Sequence, residues 1–405
     1  MRGRSDSSLL RLINSRKIVD VVLEVAPRGI SRADVARATG LSKPTVSALV
    51  GDLEAAGLVR MADPGSPSGG IGRPAALYEV VPDSSLVVGA DIGATKIIVG
   101  VADLLGRPVA EEMLETPPDA TAAANAVVEV TQRLLEGCAG GPSRLRAACV
   151  GVPGVYRATA DSVEMALNLP GFEDFAIRRH LTDRLGVPTQ IDNDVNLAAV
   201  GEAGAGVDHT DFAAVSIGTG IGTGLIIGGE LYRGGTGAAG ELGSLVLPLA
   251  EESATAVGRA TLEDVASAPA IRRIFSGAVS NGRSSTLEVG AEVADIFAAA
   301  AEGDEAAGYA LSRAASAMAY AVAHLCLIND PALIIFGGGV GANPVFVDAV
   351  DRELGGLLAH PPELAPSTLG RRATFLGAIS LALRSLRDSL VEQALDGREE
   401  QGVLG

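Results

Sequence analysis

The residues of this chain best suited to chemistry sit in and around glycine-rich turns. Residues 214–244 read AVSIGTGIGTGLIIGGELYRGGTGAAGELGS. A short buried strand over 213–217 meets Gly218, Gly220, Gly222 and Gly224, whose missing Cβ atoms predict a tight turn before a strand resumes at 225–227. Successive amides at such a turn form an anion-binding concavity, and Thr219 and Thr223 add hydroxyl donors, so phosphate is the natural guest. LVVGADIGATK at 86–96, followed by a strand over 97–101, repeats the arrangement, so the chain reads as internally duplicated. A strand over 189–191 delivers Asp192, Asn193, Asp194 and Asn196 at its C-terminal end, where polar side chains mark a site in an α/β fold. By geometry alone, Asp192 or Asp194 serves equally well as the cap of a helix over 195–201. GVPG at 151–154 lets backbone approach a ligand, or simply turns.

The elements that would position these groups alternate between strand and helix. Residues 86–116 read as a hairpin meander, 120–137 and 175–185 as helices, and 147–152 as a strand entering GVPG. A strand over 333–336 runs into Gly337, Gly338 and Gly339 at a helix N-terminus. The first fifth differs. Leu9, Leu12, Ile13, Val19, Val22 and Leu23 recur near a helical period until Pro27-Arg28-Gly29 stops it. Ser31 caps a helix over 32–38 that ends at Gly40, and Ser42 caps a third. In that third helix Val46, Leu49, Val50 and Leu53 share one face, so Pro44, Ser47, Ala48 and Gly51 point outward with Thr45 on the flank. A small, polar outer face suits close approach to a groove wall. A strand after Leu58, a Gly/Ser/Pro tip carrying Arg73 and a strand over 76–80 complete a wing. Lys17, Arg28, Arg32, Arg37, Lys43 and Arg73 flank the reading helix, where phosphate contacts would be wanted; a wing used for protein contacts is the alternative.

Two glycine hairpins facing across a cleft resemble the phosphate-holding device of the actin-like ATPase fold. DIGATK at 91–96, GVPG at 151–154, NDVN at 193–196, GEAGAG at 201–206, GTGIGTG at 218–224, GAAGELG at 237–243 and IIFGGGV at 334–340 come in the order and spacing of the ROK family (repressor, open reading frame, kinase). The resemblance covers residues 86–390. It implies an α/β chain: an N-terminal winged helix-turn-helix over 1–82, a hinge at 83–85, and a duplicated actin-like ATPase fold of two lobes. The first lobe would span 86–205 with a C-terminal helix near 373–390, and the second 206–372. Asp194 matches the family's general base, and Gly154, Asn168, Asn193, Glu241, Ser244 and Glu263 would join it around a sugar. Asp91, Gly93, Thr95, Lys96, Gly218, Thr219, Gly220, Gly222, Gly338 and Gly339 would hold the nucleotide. Ser42, Lys43, Pro44, Thr45, Ser47 and Arg73 would meet DNA.

The chain departs from the family pattern where ROK kinases carry a His and a CxCGxxGC cluster holding structural zinc. Ser244 replaces the His, and no cysteine lies between Cys149 and Cys326. His180, His209, His324 and His360 lack ligand spacing, so no metal site is expected. DIGATK also puts Ala94, where DIGGTK is common, near the expected phosphate. Sugar recognition tolerates such changes better than in-line phosphoryl transfer does. The expected function is therefore a sugar-responsive transcriptional regulator, most simply a repressor, with operator DNA and a small sugar effector as partners and no obligatory cofactor. The alternative is an ATP-dependent sugar kinase using Mg-ATP, with a DNA-binding appendage; a scaffold with relic sites is a third reading. The family's habit of pairing implies a homodimer or homotetramer.

Composition sets the bounds. A length of 405 residues suggests two or three domains, and 47% hydrophobic with 20% charged residues is globular. No apolar run reaches the ~18–20 residues of a membrane helix, and the polar start MRGRSDSSLL is no secretion signal, which together predict a cytoplasmic protein without membrane partners. The net charge of −17 is uneven: residues 1–85 hold 11 Lys and Arg against 9 Asp and Glu, the rest 21 against 40. Only the first fifth could comfortably meet a polyanion. Cys138, Cys149 and Cys326 are isolated among apolar neighbours and read as buried free thiols.

Overall fold

The computed structural model describes residues 6–62, 76–138, 140–166, 169–248 and 260–402. The N-terminal unit comprises α1 (Asp6–Val25), β1 (Ile30–Ser31), α2 (Arg32–Thr39), α3 (Lys43–Ala55), β2 (Val59–Met61) and β3 (Leu77–Val80). Its antiparallel sheet runs β1-β3-β2, so the two expected wing strands gain a third at the entry to α2. Ser31 Oγ accepts the Asp34 amide at 3.2 Å, and Ser42 Oγ accepts that of Thr45 at 3.2 Å, which satisfies amides that the first turn leaves open. Val46, Leu49, Val50 and Leu53 of α3 are buried as the period predicts. In α1 the inward stripe is Leu12, Ile18, Val19 and Val22; Leu9 and Ile13, expected inside, are exposed.

The duplication is plain in the sheets. The first is built from β4 (Leu86–Ile92), β5 (Lys96–Asp103), β6 (Pro108–Glu115), β7 (Leu145–Val152) and β10 (Thr189–Asn193), with α4 (Ala120–Glu136), the β8 (Val155–Arg157) and β9 (Ser162–Glu164) hairpin, and α5 (Ile177–Leu185) between them. Its order is β10-β7-β4-β5-β6: an antiparallel meander extended by two parallel strands. After α6 (Asp194–Gly204), the strands β11 (Phe212–Ile217), β12 (Ile221–Ile227) and β13 (Glu230–Tyr232) make a second meander. β14 (Val246–Leu247), β15 (Ala260–Thr261), α7 (Glu263–Ala266), α8 (Ala268–Ser280), α9 (Val293–Ala301) and α10 (Glu305–Asn329) follow. β16 (Leu333–Gly337), α11 (Gly338–Gly341), α12 (Pro344–Leu354) and β17 (Glu363–Pro366) complete the second sheet, ordered β13-β12-β11-β16-β17 with the same strand senses.

Contrary to the expectation of no span-length apolar stretch, one helix among the described residues of this lobe has that length and composition. α10 is long and apolar enough to cross a bilayer by length and composition, but its Ala306, Ala310, Leu311, Ala314, Met318 and Val322 are buried in the apolar core of the second lobe, in one cluster with Phe275 of α8, Phe297 of α9 and Phe346 of α12. Burial on that scale is what a core helix requires.

Each sheet carries one helix on its remaining face. α6 lies on the second sheet, with Ala199 in a cluster with Phe212, Ala214, Ile226, Leu333 and Ile335. The long α13 (Ala373–Gly402) lies on the first, with Phe375, Ala378 and Ile379 among Val87, Ile98, Ala102 and Ala147. The two helices meet at backbone contact: a Cβ on Gly377 would lie 1.8 Å from the Leu197 carbonyl oxygen, and one on Gly201 2.2 Å from that of Ala373. Further along, Leu383, Leu386, Leu390 and Val391 of α13 belong to the same apolar cluster as Leu12, Ile18, Val46, Leu49 and Leu53 of the N-terminal unit. The short 83–85 connection is pinned too, because Arg144 Nη1 donates to the carbonyl and to the carboxylate of Asp83, each at 2.8 Å.

Candidate functional site

Two cavities open between the sheets and share Asp194, Val195 and Ser216. The first, about 550 Å³, is lined by Asp91, Gly93, Thr95, Lys96, Glu202, Gly337, Gly338, Gly339, Ser367 and Arg371. Asp91 Oδ1 is buried without a hydrogen-bond partner, and burial, followed by the nearby Asp194 charge, pushes this carboxyl well above the usual range. An orphaned carboxyl oxygen in a cavity that Lys96 also lines fits a cation-bearing polyphosphate, which would satisfy it. Glu202, Ser367, Arg371 and Thr374 were not read as site residues from sequence, although Glu202 belongs to the GEAGAG motif; its carboxylate accepts a hydrogen bond from the Ser367 hydroxyl.

The second cavity, about 520 Å³, brings Gly154, Asn193, Asp194, Glu241, Ser244 and Glu263 together, as expected from the motifs. It also takes in Ala94, Gly218, Thr219, Gly220 and Gly222, which the sequence reading gave to the phosphate side. Spacing along a hairpin does not tell which wall its tip faces. The turn itself is shorter than expected: the Gly218 amide donates to Gly220 O at 2.9 Å, and β12 resumes at Ile221 rather than Leu225. Gly222 and Gly224 lie inside the strand because α6 presses on it; a Cβ at either would come within 2.8 Å of Val195 Cγ2 or 2.6 Å of Ala199 Cβ. Thr223 is consequently buried in β12, away from any turn. Asn168 and Arg73 lie outside the described residues.

Asn193, rather than Asp192 or Asp194, caps α6. Its Oδ1 accepts the amides of Val195 at 2.9 Å and Asn196 at 3.0 Å, and its Nδ2 donates to Gly154 O at 3.0 Å. An amide offers both donor and acceptor, so it can bind the helix end and the GVPG turn at once. That leaves one N–H for a ligand. Glu263 is likewise part-committed, accepting the Ile221 amide at 3.0 Å. Asp194 stands at the first turn of α6; burial raises its carboxyl to about 6, against the Val195 amide bond that lowers it, and Glu241 adds repulsion. Glu241 is raised in turn by burial and by Glu263, with Arg157 opposing.

Because folded Asp194 titrates near 6 and an unfolded one near 3.8, the folded chain holds the extra proton between those values. Stability from this group is therefore greatest below about pH 4 and falls as pH rises through 6, by ~3 kcal/mol at most. Asp194→Asn should melt several degrees above wild type at pH 7, with the gap closing toward pH 4.5, as thermal scans of both proteins would read. A gap independent of pH would mean that the carboxyl is not held in the neutral form.

In the N-terminal unit, Lys43, Pro44 and Ser47 are exposed on α3. All three of the expected DNA-facing hydroxyls have internal partners: Ser42 Oγ and Thr45 Oγ1 share a bond of 2.7 Å, and Ser47 Oγ accepts from Arg32 Nη1 at 3.2 Å. Arg32 reaches it while its guanidinium stands 4.7 Å from the Tyr78 ring centroid, bracing α3 against the wing. Among the thiols, Cys149 is buried and its pKa is pushed up by desolvation, while Cys138 and Cys326 are only partly buried. Among the described residues, no three His, Cys, Asp or Glu side chains are placed to hold a metal ion.

The sequence model of the ROK family matches residues 87–385. The chain belongs to the ROK family. A MarR family model matches residues 19–66, the helices and first wing strand of the N-terminal unit. Among ROK relatives, the chain is 26% identical to the xylose repressor of Bacillus subtilis, covering 95% of this chain and 99% of that one. It is 31% identical to a glucokinase of Thermotoga maritima over 63% of this chain and 82% of that protein. In structure, it matches a ROK family transcriptional regulator, a homolog of the E. coli MLC protein, with a TM-score of 0.79 and 20% identity over 95% of this chain and 99% of that one. That likeness covers the winged unit and both lobes. A ROK glucokinase from Streptomyces griseus, solved with glucose and AMPPNP, matches at a TM-score of 0.62 and 28% identity, covering 74% of this chain and all of that one.

Proposed function

We propose that this chain is a sugar-responsive, DNA-binding transcriptional regulator of carbohydrate genes, acting as a repressor. One observation carries the reading: the winged unit and the first lobe share a single apolar cluster through α13, which also touches α6 next to Asp194. Thr374 at the start of α13 donates from Oγ1 to Asp194 O at 3.0 Å, so α13 contacts both the residue in the cleft and the core of α3. A ligand can shift DNA affinity only by binding two arrangements unequally, and a cleft between two sheets each carrying its own helix offers such arrangements. The repressors among its relatives and the match that spans the winged unit support the DNA-binding half; the Asp194, Glu241 and Glu263 cluster supports recognition of a polyol.

The domain division follows the same lines: the winged unit over 1–82, a pinned connection at 83–85, one lobe over 86–205 with α13, and the other over 206–372. Operator DNA as partner assigns the protein to the cytoplasm, and two half-sites call for a homodimer or homotetramer. No structural zinc is needed, since the family's Cys and His ligands are missing from residues 244–248 and 260–263 and from the intervening sequence.

Asp194 and the partnerless Asp91 oxygen favour a second reading, a sugar kinase with a DNA-binding appendage. Asp91, Thr95, Lys96, Gly338 and Gly339 would then hold Mg-ATP, which supplies the phosphoryl group. Asp194 would take the hydroxyl proton at its carboxylate, and the buried walls would keep water from the reacting centre.

The DNA assignment is tested at Lys43 on α3 and at Arg73, which the sequence pattern assigns to the tip between the two wing strands. Alanine at either should weaken operator binding, by roughly 1–3 kcal/mol where a base is read, and with a salt slope shallower by about one where a phosphate is met. Fluorescence anisotropy at two salt concentrations makes the measurement. Unchanged affinity in both variants would remove the DNA-binding reading.

A further inference from the structure

On the far side of Asn193 from the sugar cavity, a third cavity of about 540 Å³ lies between Tyr156, Arg157, Ile191 and Asp192 of the first lobe and Arg233–Gly237 of the second. Two arginines bridge it in opposite directions. Arg233, just after β13, brings Nε and Nη2 each to 2.7 Å from Asp192 Oδ2. Arg157, on β8, donates from Nη1 to Thr236 O and from Nε to Glu164 Oε2 at 2.9 Å. Asp192 is 7% exposed, and its other oxygen accepts the Asn193 amide at 2.9 Å and Asn196 Nδ2 at 3.0 Å. It therefore ties the arginine of one lobe to the first turn of α6 in the other.

The segment held this way leads directly to Glu241. Its upstream end is fastened to the first lobe by both arginines, while its downstream end is fastened to the second, where the Thr223 amide donates to Gly240 O at 3.0 Å. A Cβ on Gly237 would stand 3.2 Å from Tyr156 O, so the segment rests on the strand that follows the GVPG turn. Neither arginine lines the sugar cavity.

We propose that Arg233 and Arg157 form a reciprocal clasp between the lobes, and that Arg233 is a positioning residue setting Glu241 opposite Asn193 and Asp194 for ligand binding. The inference rests on the reading of the neighbouring cleft as the sugar site, but the clasp itself is a property of the ligand-free protein. Arg233 is the only cation paired with Asp192 among the described residues; a buried carboxylate that loses it must be rehydrated, and opening the lobes is how water reaches Asp192.

Hydrogen–deuterium exchange on full-length, ligand-free protein tests it. Arg233→Ala should speed amide exchange about tenfold or more in residues 154–157 and 189–196 of the first lobe and in 233–241 of the second, with α10 unchanged. Arg233→Lys, which keeps the charge and one donor, should restore part of the protection. Should Arg233→Ala lose its fold, Arg157→Met breaks the reciprocal arm while leaving the buried Asp192 paired with Arg233, and must loosen the same segments. Protection in the first-lobe segments equal to wild type in a folded variant, or loosening confined to 233–241, would overturn the clasp. Titration of wild type with D-glucose and D-xylose is read separately: lack of binding would count against the sugar reading and leave the exchange result standing.

Discussion

Gly377→Ala should cost this protein about 4 kcal/mol and lower its melting temperature by ~10 °C, a large effect for one methyl group. The added Cβ would stand 1.8 Å from Leu197 O and 2.9 Å from the Gly201 amide nitrogen, and both neighbours are helix backbone that cannot rotate away. α6 and α13 would have to separate by more than 1 Å, yet each is fixed to its own sheet, so separation opens one of two buried faces. Gly308, in α10, is the control. A Cβ there meets nothing within 4 Å, and Ala in a helix interior is favoured over Gly, so Gly308→Ala should be stabilising by ~0.5–1 kcal/mol. The same substitution thus has opposite signs at two helical glycines. Equal melting temperatures for the two variants would mean that α6 and α13 do not cross at backbone contact.

That crossing also bears on function. If the lobes move when a ligand enters, α6 and α13 must slide or pivot at Gly201 and Gly377, because nothing else lies between them there. α13 then carries the displacement toward Leu386 and Leu390, which share a core with α3. A folded Gly377→Ala variant should therefore bind its operator with altered affinity even without ligand.

Much of this was legible in the sequence, and what was not has physical causes. The duplication could be read because each half repeats an apolar strand, a glycine turn and a returning strand, and the meanders β4-β5-β6 and β11-β12-β13 follow that pattern. The winged unit could be read because its signals are local: Ser31 and Ser42 cap the helices their positions suggested. Gly222 and Gly224 were misleading because glycine is spelled the same whether it turns a chain or admits a neighbouring helix. Asn193 as the cap of α6 is a matter of side-chain direction among three adjacent polar residues, which spacing does not decide. Arg233 and Asp192 are 41 positions apart and belong to different lobes, so only the folded arrangement pairs them. The union of the winged unit with α13 was hidden for the same reason, since the two ends of the chain form one core.

Asp194→Asn should separate sensing from chemistry. In a regulator, wild type releases operator DNA when the effector sugar binds and liberates negligible ADP with any hexose or N-acetyl hexosamine. The variant keeps an oxygen that accepts from a sugar hydroxyl but loses the charge-assisted bond, so effector affinity should fall by about 1 kcal/mol, roughly fivefold. The pH profile adds a signature that a change of shape would not reproduce. The bond from a hydroxyl is charge-assisted only while the carboxyl is ionised, so wild-type affinity should be level above pH 7 and decline as pH is lowered through about 6, where burial has placed this carboxyl. The Asn variant should show no such decline over that range. A kinase would behave otherwise: coupled ADP release would be robust in wild type and fall about 10²–10⁴-fold in Asp194→Asn, with operator binding indifferent to sugar. That result would install phosphoryl transfer as the activity of the cleft. A wild-type decline that the Asn variant lacks, without turnover, would instead mean that Asp194, retained at the general-base position, serves here as the charged acceptor by which the cleft registers a bound sugar.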